Sequence, residues 1–296
     1  VPLGERLGAA RFVLALRRAG FRAGAHETVQ ALLRAHRQDG RMGHFLWRPL
    51  CISALNTPPE RAAAGAFLAV LRDTLGGTAG ASDLLLPRVD LSRLFPEPAA
   101  AWLAARGGEL RLNARVRELE SLRRDYAAVV IAVGPHQLAA LAPGLAPDFE
   151  YQPITTCYLQ YPEQVRLPLP MLGLDAGLVQ WVFDRGALLG ERGRLACVIS
   201  AQGDHQQMEH DELGATCARE LAQALPRLPA PLSWRVIAEK RATVACTPGL
   251  VRPGPATQWP EVFLAGDYTD PEYPPTLEAA ARSGVRAAGL CYARIS

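Results

Sequence analysis

The sequence predicts a mixed α/β fold, with stretches of α+β character where helices segregate from strands. Three observations carry that expectation. The run Ala127-Ala128-Val129-Val130-Ile131-Ala132-Val133 is a short, continuous apolar segment of the parallel-sheet kind, closed by Gly134-Pro135. Residues 262–267 form a second apolar strand ending in Gly266-Asp267, followed by a proline-bounded loop and a helix rich in small residues. Residues 1–95, by contrast, look mainly helical.

The elements follow in order. Ala9, Phe12, Val13 and Leu16 fall on one helical face, with Gly20 as the stop, and residues 26–37 suit a second helix. Pro58-Pro59-Glu60 opens a helix over 61–75, with proline and an acid near its first turn and Gly76-Gly77 beyond its end. Residues 97–106 predict a short helix closed by Gly107-Gly108. Leu110, Leu112, Ala114 and Val116 then alternate with polar residues, which predicts a strand over 109–120. Further strands are expected at 154–161, 178–184, 195–201 and 234–244. A helix over 211–225 places Leu213, Cys217, Leu221 and Leu225 on one face, giving a sheet backed by helices. Residues 248–260 are a proline-rich connector into the final strand and helix.

At 296 residues the chain can bury a substantial core and is long enough for more than one domain. Lys240 is the only lysine, and arginine supplies the rest of the positive charge, a compositional habit rather than a binding signal. The net charge of +3 is too small to argue for nucleic acid. No apolar run approaches the ~18 residues of a membrane-spanning helix. Six cysteines are scattered, without CxxC or Cys/His spacing, so no metal site is expected and reduced thiols in a cytosolic setting are the default. No GxSxG, HExxH, Walker A or paired-carboxylate arrangement stands out.

The terminal block carries the chemistry. Glycine at 266 lets a ligand approach the backbone, and Asp267 at a strand's carboxyl end can accept hydrogen bonds from sugar-like hydroxyls; an ordinary turn or cap residue is the competing reading. Pro274-Pro275-Thr276 starts the last helix, whose unpaired N–H groups and positive dipole end suit an anionic or electron-accepting group. Leu277, Ala280, Ala281, Gly284, Val285 and Ala288 form a narrow face expected to pack closely, while Glu278, Arg282 and Arg286, four apart, suit surface ion pairing. His44 and His136 are read as structural or solvated. Asp83, Asp90, Asp175 and Asp184 are read as turn or surface residues.

These pieces together resemble the amine-oxidase and phytoene-desaturase class of flavoproteins, in particular its squalene-associated branch, the hydroxysqualene dehydroxylases. Besides the terminal block, the carriers are Ser53-Ala54-Leu55-Asn56-Thr57-Pro58, Leu86-Pro87-Arg88-Val89-Asp90-Leu91, Pro153-Ile154-Thr155-Thr156, Gln180-Trp181-Val182-Phe183-Asp184, Glu239-Lys240-Arg241-Ala242-Thr243 and Thr247-Pro248-Gly249. The resemblance implies an FAD/NAD(P)-binding Rossmann-like domain, incomplete at its N-terminus, interleaved with a substrate domain of sheet plus helices. It implies a helical part of the substrate domain at 1–95, an FAD-binding segment at 96–150, the substrate sheet and helix at 151–245, and the closing FAD-binding strand and helix at 246–296. By resemblance, Gly266 and Asp267 serve the ribityl or diphosphate region of FAD, and Pro275, Thr276 and Leu277 lie against its ring. Val116 faces the adenine through its backbone, and Ala132 lies near the cofactor.

The implied function is reductive dehydroxylation of hydroxysqualene to squalene, a step of hopanoid biosynthesis. The alternatives are a carotenoid- or phytoene-type desaturase and a non-catalytic isoprenoid-binding remnant. The resemblance names no catalytic residue; Tyr268, Tyr273 and His44 are the side chains considered for protonating the leaving hydroxyl. The implied partner is a long-chain isoprenoid, with no nucleic acid. A bilayer-dwelling substrate also implies a cytoplasmic protein in peripheral contact with the inner membrane, aided by the Arg-bearing helix near 6–18. The class begins with a strand and a GxGxxG loop spanning ~30 residues. Gly4 and Gly8 sit in an Arg/Leu-rich helical context and do not supply that loop, so the chain reads as a carboxy-terminal fragment. The isolated 296-residue chain is expected to purify without yellow flavin; stoichiometric FAD in the absorption spectrum of the purified chain would overturn that expectation.

Overall fold

A computed structural model describes residues 1–78 and 80–296. The chain forms two compact units. The first comprises Val1–Ser82, Val116–Pro153 and Lys240–Ser296; the second comprises Asp83–Arg115 and Ile154–Glu239. The described residues contain seven strands: β1 (Val129–Ile131), β2 (Tyr151–Gln160), β3 (Met171–Gly173), β4 (Trp181–Asp184), β5 (Arg194–Ser200), β6 (Ser233–Val244) and β7 (Val262–Leu264). The mixed α/β class expected from the sequence holds.

In the first unit, helices Leu3–Arg18, Val29–Ala35, Arg48–Leu55 and Ala64–Leu75 surround one apolar core. Phe12, Leu16, Leu33, Trp47, Leu55, Phe67 and Leu68 are buried in it, each large side chain contributing roughly 1.5–3 kcal/mol by leaving water. The indole N–H of Trp47 donates to Gln38 Oε1 at 3.0 Å, so the one polar atom of that ring is satisfied. The helix expected over 61–75 begins only at Ala64. The backbone before it is diverted: the Ala63 N–H donates to the Cys246 carbonyl, the Ala64 N–H to the Glu27 carbonyl, and Ala63 bridges Thr28. A π-helical turn at Gly43–Trp47, which periodicity did not signal, leads into the helix Arg48–Leu55.

A second cluster of the same unit forms around β1 and β7. These strands pair in parallel, with Val129 opposite Val262 and Ile131 opposite Leu264. Ile131, Leu138, Phe149, Val262, Leu264 and Tyr268 are buried together there. The strand expected over 109–120 does not form. Residues 109–118 carry no regular structure, and Leu119–Asp125 is a helix. Leu110, Leu112 and Val116 are exposed, and Arg111 turns back on Glu109 at 2.7 Å. Alternation alone makes no strand unless another strand takes up its N–H and C=O groups.

The second unit holds the sheet β3-β4-β5-β2-β6. Cys157, Leu159, Val182, Leu195, Cys197 and Ile199 line its inner face against Leu213, Cys217 and Leu221 of the helix His210–Ala224. Asp184, read above as a turn or surface residue, is buried. Its carboxylate caps the helix Arg185–Leu189, accepting the Ala187 N–H, and also accepts the Leu167 N–H, both at 2.9 Å. All six cysteines are free thiols. Among the described residues, no helix is long and apolar enough to cross a membrane, and no group of His, Cys, Asp and Glu could hold a metal ion.

His205 is buried in this unit, and its Nε2 has no hydrogen-bond partner. Burial pushes its pKa down, against a smaller upward pull from Asp204. The folded state therefore favours neutral imidazole, whereas the unfolded chain takes a proton below pH ~6.5. Unfolding free energy should fall as pH drops below ~6.5, and His205→Gln should flatten that fall. Urea titrations across pH check this, and an unchanged slope in the variant would refute it.

Candidate functional site at the carboxyl ends of β1 and β7

The parallel pairing of β1 and β7 brings their carboxyl ends together, since the Ala265 N–H donates to the Ile131 carbonyl at 3.0 Å. In open parallel sheets this is the edge where ligands bind. Ala132 is exposed just past β1, and Gly134 leads into the helix Pro135–Leu141. Gly266 and Asp267 follow β7.

Gly266 has φ +153°, a conformation that favours glycine. A Cβ there would lie 2.4 Å from the ring of Tyr268, so the ring fills the space a side chain would need. Tyr268 is buried, its hydroxyl has no partner, and burial pushes its pKa up to about 12, with the Asp267 carboxylate adding to the rise. Asp267 is half-buried. Desolvation raises its pKa, and the Tyr268 N–H and the Arg252 charge only partly oppose that rise. It is a carboxylate held short of full compensation, ready to accept hydroxyl donors.

The loop from 270 to 276 is fixed by contacts of Asp270, Arg286, Arg252 and Tyr273. Asp270 is buried and accepts the N–H groups of Glu272 and Tyr273, each at 2.9 Å. Arg286 lies 2.9 Å from it as an ion pair without hydrogen-bond alignment. Burial alone would raise the Asp270 pKa; those two N–H groups and Arg286 outweigh it and hold the carboxyl below its ordinary value. Arg252 donates through Nη1 to the carbonyls of Asp270 (2.6 Å) and Tyr273 (2.5 Å). The Tyr273 hydroxyl bonds Asp73 and Arg72.

The last helix, Leu277–Ile295, starts from this loop. Thr276 is its N-cap, accepting the Ala279 N–H at 3.3 Å. The N–H groups of Leu277 and Glu278 have no protein partner among the described residues, so two donors and the positive dipole end stay available. The Gly266 N–H donates to Ser283 Oγ at 2.8 Å, which pins the helix to the strand end. The helix start lies six residues before that anchor, ~9 Å along the axis.

The small-residue face read from the sequence is not the packed one. Ala279, Ser283 and Ala287 are buried, while Leu277 and Val285 are 74% and 75% exposed. A Cβ at Gly284 would meet nothing within 4 Å. The Ser283 bond selects the helix phase, and counting small residues misses it. Arg282 pairs with Glu278 at 2.6 Å, as the four-residue spacing suggests, but Arg286 turns instead to Asp270.

Among the residues singled out above, Ala132, Gly266 and Asp267 lie at this edge, and Pro275, Thr276 and Leu277 begin the helix anchored to it. Val116 is 46% exposed in the irregular stretch before Leu119. His44 is exposed and meets the Phe45 ring edge-on. His136 is exposed and stands edge-on to Tyr151 at 6.4 Å. Sequence reasoning missed Arg252 and Asp270, and it gave Arg286 a surface ion-pairing role rather than its pairing with Asp270. Asp270, three residues beyond Asp267, and Arg252, inside the proline-rich connector, were the available signals.

A paired parallel strand edge, a Gly-Asp turn and an unpartnered helix start make up a candidate ligand site, and comparison with known proteins gives the class. The chain matches flavin containing amine oxidoreductases over residues 2–291 and belongs to that family. Among similar proteins, the hydroxysqualene dehydroxylase of Rhodopseudomonas palustris is 37% identical over 280 residues, covering 86% of this chain and 64% of the relative. That of Sinorhizobium fredii is 32% identical over 288 residues, covering 90% and 66%. The chain thus spans just under two thirds of the length of these curated relatives. In fold it is similar to an oxidoreductase from Methanosarcina mazei (TM-score 0.67, 12% identity, 98% of this chain and 73% of that one). It is likewise similar to a putrescine oxidase (TM-score 0.66, 16% identity, 99% and 76%).

The residues present fit part of a flavin. Gly266 permits close approach, Asp267 is an under-compensated acceptor for hydroxyls, and the free N–H groups of Leu277 and Glu278 suit a carbonyl that gains negative charge on reduction. Gly266→Ala should destabilise the fold by about 2 kcal/mol, because the new methyl meets a buried ring and a φ that L residues avoid. Denaturant unfolding checks this, and a midpoint equal to the parent's would refute it.

Proposed function

We propose that the protein containing this chain is an FAD-dependent oxidoreductase that removes the allylic hydroxyl of hydroxysqualene to give squalene. The observation that carries the reading is that three relatives, 30–37% identical over 83–90% of this chain, all bear the name hydroxysqualene dehydroxylase. The substrate is then a long-chain isoprenoid and the flavin is FAD. A substrate that dwells in the bilayer favours a cytoplasmic protein in peripheral contact with a membrane.

When bound, reduced flavin would supply the hydride equivalent that replaces the hydroxyl, which departs with a proton as water. This chain's residues would hold and orient it. Asp267 would accept hydroxyl hydrogen bonds from the ribityl chain, and Gly266 would let the cofactor reach the backbone. The start of the last helix at Pro275, Thr276 and Leu277 would face the ring, with the Leu277 and Glu278 N–H groups toward its pyrimidine carbonyl. Ala132 would flank the cofactor at the β1 end, and the Val116 backbone would serve the adenine. The β1–β7 cluster would belong to the cofactor-binding domain, and the sheet of the second unit to the substrate domain. A hydrocarbon offers few polar handles, so a dry apolar cavity rather than a set of catalytic acids is the expected environment.

The test is product analysis by gas chromatography and mass spectrometry. The protein carrying this chain, supplied with FAD, a reductant and hydroxysqualene, should yield squalene. Coloured desaturated products from a polyene precursor, with no squalene from hydroxysqualene, would replace this reading with that of a desaturase.

A further inference from the structure

The sheet of the second unit has a face that its core does not use. Side chains at even positions of β2 and β5 point away from the cluster around Cys157 and Leu159, with Gln160 opposite Arg194 and Tyr158 opposite Ala196. On β6, Val236 packs against the core, so Arg235 and Ile237 alternate to the other face. At one end of this face lies a groove of about 290 Å3 lined by Tyr158, Gln160, Arg185, Arg194, Arg235 and Ile237.

Three guanidinium groups thus converge on one groove, and their donors are only partly used. Arg185 spends Nε and Nη2 on Glu191, at 2.9 and 2.5 Å. Arg194 spends Nη1 on the same carboxylate at 3.1 Å and Nε on Gln160 Oε1 at 3.3 Å. Nη1 of Arg185 and Nη2 of Arg194 have no partner among the described residues. Arg235 has neither an ion pair nor a hydrogen bond there. Glu191 is the carboxylate in direct contact with this group, and Asp90 acts on Arg185 only through its field. The charge is therefore unbalanced toward positive.

The groups are also held in place. Glu191 and Gln160 orient two of the guanidinium planes, and the ring of Tyr158 lies 5.4 Å from the Arg185 carbon. Part of the ordering entropy is thus spent before any ligand arrives. Free planar donors of several arginines around one groove match the oxygens of a phosphate group, which can accept from all three at once. A carboxylate, with two oxygens, would satisfy fewer of them.

We propose that Arg185, Arg194 and Arg235 form a binding site for a phosphate or diphosphate group. The site lies wholly within the second unit and shares no residue with the strand edge of β1 and β7, so it does not depend on the function proposed above.

The test uses the full chain and two probes. Calorimetric titration with inorganic pyrophosphate reads a free diphosphate. Flotation with phosphatidylglycerol vesicles, against phosphatidylcholine vesicles, reads a lipid headgroup. Arg235→Gln is the informative variant, because Arg235 is exposed and its loss breaks no recorded bond; Arg227→Gln, exposed and outside the groove, is the control. At least one probe should bind the parent chain, weaken as salt rises, and weaken about tenfold in Arg235→Gln but not in Arg227→Gln. Pyrophosphate binding without selective capture of the acidic vesicles would identify a soluble ligand; selective capture that Arg235→Gln abolishes would identify a lipid. Absence of binding to both probes, or equal binding by parent and Arg235→Gln, would overturn the proposal.

Discussion

The hydrogen bond from the Gly266 N–H to Ser283 Oγ sets the rotation of the last helix, and the candidate site follows from that rotation. A helix rich in small residues can pack through more than one face. Ser283 is fully buried and also donates to the Ala280 carbonyl at 2.7 Å, so its hydroxyl is satisfied in both senses. Rotating the helix away would orphan the Gly266 donor at the strand end, at a cost of about 1–3 kcal/mol. In the chosen phase Ala279 and Ala287 join Ser283 on the packed face, and Arg286 reaches Asp270. Asp270 gathers the N–H groups of the preceding loop, and Arg252 gathers two of its carbonyls. The loop delivers Thr276 to the cap position with the next two N–H groups still free.

What could be read from the sequence divides along the range of the interactions. β7 and the Gly-Asp turn were legible because an apolar run, a glycine and an acid are local signals. β1 was legible too, as a short apolar run before Gly134-Pro135, though its paired length is only three residues. The strand expected over 109–120 failed for a non-local reason: Leu110, Leu112 and Val116 alternate correctly but meet no partner strand, and they stay exposed. The helix phase failed in the same way. Leu277, Gly284 and Val285 look like a packing stripe, yet a single serine hydroxyl seventeen positions from its partner outweighs them. Arg252 lies fourteen residues before the turn, and its place in the proline-rich connector marks it without revealing that it bonds the carbonyls of Asp270 and Tyr273.

Arginine, dismissed in the composition as a habit, does three different jobs once its surroundings are known. Arg286 is partly buried against a buried carboxylate, and losing either partner would strand the other. Arg252 makes its bonds to backbone carbonyls and so holds a loop without neutralising a charge. Arg185 and Arg194 share one glutamate, and Arg235 has none. The residue type is constant, and the count of carboxylates within reach decides whether it is a strut or a binding group. That count is a property of the fold, which is why composition could not supply it.

The same reasoning applies with opposite sign to Asp267. The cation whose charge acts on it is Arg252, whose Nη1 is already committed to two carbonyls. Desolvation therefore prevails and raises the Asp267 pKa, so the ionised carboxylate is less stable at this edge than in water. A ligand that donates hydroxyl hydrogen bonds there would stabilise the ionised form and pull the pKa back down. Binding of such a ligand and loss of a proton from Asp267 are then linked. Affinity would rise with pH while the free protein still carries that proton, and level once Asp267 is ionised. An acid left under-compensated by its own fold would have its compensation supplied by such a ligand, which distinguishes it from Asp270, whose partners are all internal.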